Sequence, residues 1–152
     1  MRSKGVLLKG SRSQLRKFLN KVRFPNNKAE YIFLARKIFK DGLKICIKNK
    51  INPKDIFATR DWFVKNVKGI GYKEASHFLR NIGYGQELAI LDVHILRCLK
   101  KDGVIDEIPS SISRKKYLEI EKKVFDYAVS KNASMEALDL QLWAQETGFV
   151  FK

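Results

Sequence analysis

Between two stretches of helical periodicity the chain allows only four residues, Lys68-Gly69-Ile70-Gly71. A link that short forces the two helices into a tight hairpin. A Gly-x-Gly turn of this kind leaves backbone N–H groups pointing outward, where a phosphate can accept from them. Taken alone, the turn is equally consistent with an ordinary αα-corner. Lys68 and Lys73 on either side favour anion binding, because a phosphate held by amides gains from nearby cations. Lys73 falls one step inside the second helix, at the positive end of its dipole, which favours a neutral amine. Further along, Asp92 stands at the head of another helix, and a carboxylate close to that amine would make a nucleophile with a partner. Each residue also has a simpler use: most helical lysines are solvated, and an aspartate before a helix is first of all a cap. The chemical reading rests on the hairpin, lysine and aspartate together.

The rest of the chain reads as helices around this hairpin. No segment alternates with period two over a strand's length, so the expected class is all-α. Residues 1–10 carry no periodicity and read as a loose beginning. Ser11 or Ser13 is expected to cap a short helix reaching about Val22, with Leu15, Phe18, Leu19 and Val22 on one face. Phe24-Pro25-Asn26-Asn27 reads as a turn, with Asn27 capping a helix that carries Tyr31, Leu34, Ala35 and Ile38. Gly42 is expected to bend or end this helix before residues 43–50 continue as a basic amphipathic stretch. Asn52-Pro53 is a helix-start signature, and Thr59 is expected to cap the helix bearing Trp62 and Phe63. Beyond Asp92, Gly103 stops the next helix and residues 104–109 form a connector. Ser113 opens a long helix with Tyr117, Ile120, Val124 and Tyr127 facing inward. Ser134 and Gly148 bracket a last helix carrying Ala137, Leu138, Leu142 and Trp143, followed by the tail 149–152. The expected organisation is one helical domain over 1–152, with the helix-hairpin-helix at about 56–82 and the helices of 113–152 packed on it.

Charge narrows the class of partner. The 31 Lys and Arg against 16 Asp and Glu leave a formal charge of +15, which points to a polyanion, nucleic acid first, over a merely solvated basic surface. Hydrophobic residues make up 45%, enough for a packed interior. Cys46 and Cys98 are too few for a four-cysteine iron–sulfur cluster or a cysteine-rich zinc site, and both read as small core residues of apolar helices. Asp92-x-His94 finds no third ligand at a persuasive spacing, so no metal site is expected. His77, one turn after Lys73, reads as a packing or hydrogen-bonding residue. Neither a membrane-length apolar run nor a signal-peptide pattern occurs, which makes the expected protein soluble and intracellular, in cytoplasm or nucleoid.

VKGIGYKEA followed by LDVHILR resembles the signature of the helix-hairpin-helix–GPD superfamily of base-excision DNA glycosylases. Within it, GIGYKEASHFLRNIGY resembles the archaeal 8-oxoguanine DNA glycosylase/lyase family. AEYIFLARK (29–37), IDEIPSSISRKKYLEIE (105–121) and the ending LDLQLWAQETGFVFK extend the resemblance over residues 15–152. It implies removal of 8-oxoguanine and β-elimination at the abasic site, with Lys73 as the Schiff-base nucleophile and Asp92 as the essential aspartate. The hairpin amides around Lys68, Gly69, Ile70 and Gly71 would bind a DNA phosphate, and the resemblance allows a monovalent cation at hairpin carbonyls but no other cofactor. Trp143 and Lys152 fall where the family recognises the oxidised base; read alone, Trp143 is a core tryptophan and Lys152 a solvated lysine. The implied partner is double-stranded DNA containing 8-oxoguanine or an abasic site, bound by a monomer. The family begins with further helices that this chain lacks, so a partner chain supplying them, a non-catalytic DNA-binding module and an abasic-site lyase stand as alternatives. The segment 83–88 also looks slightly expanded.

Overall fold

The computed structural model describes residues 3–148. Packing divides the chain into two compact units, Met1–Ile70 and Gly71–Lys152, and the division falls inside the hairpin.

The first unit contains α1 (Ser3–Lys9), α2 (Arg12–Phe18), α3 (Pro25–Phe39) and α4 (Ile56–Asn66). Helix α1 lies where the sequence reads as a loose beginning. The carbonyls at and just past its C-terminus find a partner distant in sequence: the Arg36 guanidinium of α3 donates to the carbonyls of Val6, Leu7 and Gly10 at 2.8, 2.7 and 2.6 Å. Helix α2 starts as expected, with Ser11 and Gln14 forming a reciprocal capping box, but ends at Phe18 rather than near Val22. Of its expected inward face Leu15 is fully buried, whereas Phe18 and Val22 are exposed. Helix α3 begins at Pro25, not after Asn27. Proline at the first helical position has φ already set and no N–H to satisfy, and Phe24 before it takes a left-handed φ of 58°.

Residues 40–50 are not a helix. Lys40–Asp41 (β1) and Lys44–Ile45 (β2) form a minimal antiparallel hairpin around Gly42, whose φ is +57°, and Lys48–Lys50 make one 3₁₀ turn. Gly42 supplies the positive φ a two-residue hairpin turn needs. Cys46 therefore sits in a half-buried turn beside Asn49 rather than in a helix core. Helix α4 is capped by Asp55, which accepts from the Ala58 N–H at 2.9 Å, and not by Thr59. The Thr59 hydroxyl instead donates back to the Asp55 carbonyl one turn earlier and accepts from the Asn52 N–H, as helical threonines can. Phe63, against Phe39 at 5.9 Å and edge-on to Trp62 at 5.4 Å, anchors α4 in this unit's core.

The second unit follows the sequence closely: α5 (Tyr72–Asn81), α6 (Val93–Lys101), α7 (Arg114–Ser130) and α8 (Met135–Thr147). Ser113 and Ser134 accept from the third residue of their helices, and Gly148 closes α8 with a left-handed φ of 73°. Tyr117, Ile120 and Val124 of α7 bury against Ile95, Leu96 and Leu99 of α6 and Leu138 and Leu142 of α8. Cys98 belongs to this core. The tail 149–152, and with it Lys152, lies outside the described residues.

Candidate active site

The entering half of the hairpin closes the first unit. Gly69 adopts φ +88°, and a Cβ built on it would stand 2.2 Å from a ring carbon of Tyr31. Only glycine meets both demands. The same ring carries the Lys68 ammonium 6.0 Å from its centroid, so Tyr31 supports both the backbone and the cation of the turn. The Ile70 N–H donates to the Val67 carbonyl at 3.2 Å.

The exiting half opens the second unit. Gly71 is the N-cap of α5, in extended conformation, and has no side chain with which to cap. Glu74 compensates: one carboxylate oxygen accepts from the Gly71 N–H at 3.2 Å and the other lies 3.2 Å from the Lys73 amine. Partial burial works against ionisation of Glu74, but hydrogen bonds from its own backbone N–H, from Lys73 and from Gly71 outweigh it, holding the carboxyl below its usual range. The Gly71 and Ile70 amides are thus engaged within the turn, so an incoming phosphate must share or displace those bonds. Lys73 stands in the first turn of α5, as the sequence implies, with Glu74 as its ion-pair partner.

Asp92 caps α6, accepting with one oxygen from the N–H groups of His94 and Ile95, both at 2.9 Å. Its approach is fixed by α7: Glu121 accepts from the Ala89 N–H at 2.9 Å, and the Tyr117 hydroxyl donates to the Ala89 carbonyl at 2.7 Å. Leu88, Ala89, Ile90 and Leu91 are buried, so Asp92 emerges from an anchored strap rather than a free loop. Arg80 of α5 ties the other end, donating to the Leu88 carbonyl and to Asp139 of α8, the latter at 2.6 Å. Lys73 and Asp92 therefore belong to one packed unit. His77 is exposed and lines a hollow of about 210 Å³ with Asn81, Glu136 and the Arg80–Asp139 pair. Trp143 is half-buried against the core of this unit.

Glu74 was not singled out by the sequence reading, although Gly71-x-x-Glu74 has the spacing of a capping box. Tyr31 and Glu121 left no local signal, because their partners are distant in sequence. Among the described residues no three His, Cys, Asp or Glu gather as a metal site. A monovalent cation at the hairpin would fall to carbonyl oxygens, of which Val67's already accepts from Ile70.

Two helices joined by a glycine hairpin, a lysine in the first turn of the second and an aspartate capping the next define the class: helix-hairpin-helix proteins of the DNA glycosylase type. The family model for 8-oxoguanine DNA glycosylase matches residues 1–133. An 8-oxoguanine DNA glycosylase/AP lyase of Fusobacterium nucleatum is 48% identical over 97% of this chain, and one of Methanocaldococcus jannaschii is 49% identical over 86%. The solved M. jannaschii 8-oxoguanine glycosylase/lyase in complex with 15mer DNA containing 8-oxoguanine superposes with a TM-score of 0.83 at 42% identity, covering 98% of this chain and 72% of that one. The Thermotoga maritima 8-oxoguanine DNA glycosylase gives 0.82 at 39% identity, covering 98% and 71%. This chain belongs to the 8-oxoguanine DNA glycosylase family, which its relatives extend across archaea and bacteria. It spans 68% and 60% of the lengths of the F. nucleatum and M. jannaschii relatives.

Proposed function

We propose that this chain acts in base-excision repair, removing 8-oxoguanine from double-stranded DNA and cleaving the abasic site by β-elimination. The observation that carries the reading is the lysine in the first turn of α5 and the aspartate capping α6 within one packed unit of a family member. The excess of 31 basic over 16 acidic residues supports a DNA partner held largely through its phosphates. Lys68 and the hairpin amides grip a phosphate, with a monovalent cation at hairpin carbonyls as an accessory on which no step depends. The damaged nucleotide is turned out of the stack, and Trp143 stacks on it while Lys152 contacts its polar edge or carries the carboxylate that does so. The Lys73 amine attacks C1′ as the C1′–N9 bond breaks and the base departs. Asp92 stabilises the positive sugar and assists proton transfer. The Schiff base acidifies C2′; loss of that proton expels the 3′ phosphate and leaves an unsaturated sugar on the enzyme for hydrolysis. Among the described residues no helix is long and apolar enough to cross a membrane, and the reading places the protein with the nucleoid, as a monomer.

Borohydride trapping on two duplexes, one with 8-oxoguanine and one with an abasic site, tests this. Adducts on both, absent in Lys73→Gln, are expected. An adduct on the abasic duplex alone would reduce the activity to a lyase, and none on either would leave a DNA-binding module.

A further inference from the structure

Lys73 has four rotatable side-chain bonds and stands beside a turn whose own capping group is a glycine. What gives its amine a direction is the next residue, Glu74, the third of the helix. Glu74 reaches back to the Gly71 N–H with one oxygen and to the Lys73 amine with the other, both at 3.2 Å. One oxygen fixes the carboxylate to the backbone of the hairpin; the second can then act as a fixed stop for the amine. The two side chains are 43% and 51% exposed, so water screens the pair and its worth to folding is small. Such a contact matters chiefly through the geometry it selects.

We propose that Glu74 is a positioning residue, a carboxylate pinned by the Gly71 amide that orients the Lys73 amine for attack. This rests on Lys73 being the nucleophile. Glu74 touches neither sugar nor base in this role. Its lowered pKa fits the same picture, since the carboxylate keeps both oxygens as acceptors across the neutral range. Misplacing a reacting group by about an ångström can cost up to about a hundredfold in rate, which sets the scale of the effect.

Glu74→Gln separates the two bonds. A glutamine oxygen still accepts from the Gly71 N–H, so the cap survives, but its NH₂ offers the Lys73 amine no second acceptor oxygen. Glu74→Ala removes both. Three quantities are compared across these variants: thermal unfolding, dissociation from an uncleavable abasic-analogue duplex, and the single-turnover rate of borohydride trapping on abasic DNA. Reductive methylation of Lys73 in the DNA-free protein, read by peptide mass spectrometry, adds a measure independent of DNA chemistry. In Glu74→Gln the expected result is unchanged unfolding and DNA binding, faster methylation of Lys73, and trapping slowed about ten- to a hundredfold. Trapping within twofold of the parent with unfolding unchanged would overturn the proposal. So would a rate loss confined to Glu74→Ala that follows its loss of stability. Should the parent protein fail to trap at all, the glycosylase/lyase reading is what fails, while the methylation result still tells whether Glu74 holds the amine.

Discussion

Replacing Gly69 by alanine tests how the hairpin is made. Two separable costs are visible. The backbone at φ +88° lies in the region that L side chains avoid, and forcing alanine into left-handed backbone costs about 1–2 kcal/mol. The added Cβ also lands 2.2 Å from Cδ2 and 2.9 Å from Cγ of Tyr31, near the root of the ring, where a small rotation cannot clear it. Overpacking of this kind costs about 1–3 kcal/mol. Gly69→Ala should therefore lose about 2–5 kcal/mol, measured by urea unfolding followed by circular dichroism. The decisive comparison is the same substitution in a Tyr31→Ala background. With the ring gone only the backbone cost remains, so the penalty should shrink by about 1–3 kcal/mol, a coupling well outside the spread for independent sites. An equal loss in both backgrounds would show that Tyr31 does not constrain the turn. A loss below about 0.5 kcal/mol in either would refute the conformational argument itself.

Three further outcomes follow from the site. Asp92→Asn keeps an oxygen for the His94 and Ile95 amides, so melting should barely move while single-turnover base excision falls about a hundredfold or more; parallel losses would make Asp92 a cap alone. Arg80→Met removes both the ion pair with Asp139, in a site where the two side chains are only 9% and 7% exposed, and the bond to the Leu88 carbonyl, and should cost about 3–5 kcal/mol in urea unfolding. Lys68→Ala should weaken DNA binding without regard to the lesion and lower the slope of log affinity against log salt by about 1, measured by fluorescence anisotropy across a salt series.

The second unit could be read from the sequence because its instructions are local. Asp92, Ser113, Ser134 and Gly148 each sit within four residues of the groups they satisfy, and Tyr117, Ile120 and Val124 mark their inward face by spacing alone. In the first unit the deciding partners are remote. Helix α1 depends on a guanidinium from α3 that no window around residues 1–10 contains. In residues 40–50 the hairpin cue is a single glycine, Gly42 at the head of the Gly42-Leu43 turn, and the basic helical spacing around it masks it. At the site, Lys73 and Asp92 were visible through the turn and cap chemistry that fixes their backbone positions. What surrounds them was less so: Glu74 beside Lys73, Glu121 and Tyr117 behind Ala89, and Tyr31 over Gly69 are side-chain choices made by packing.

Cys98 lies on α6, the helix that Asp92 caps, and its thiol donates to the Leu142 carbonyl of α8 at 3.2 Å. Burial first, then the charges of Glu146 and Asp102, push this thiol's acidity weaker than usual, and the thiolate is the form that peroxides attack. Acting on 8-oxoguanine, as proposed, the protein would work wherever oxidants have already reached DNA. The Cys98 thiol is buried and kept in the chemically quiet state, whereas Cys46 is only half-buried, so an oxidant reaches Cys46 more readily. Oxidation of Cys98 should then proceed at the pace at which the second unit opens rather than at that of thiol chemistry.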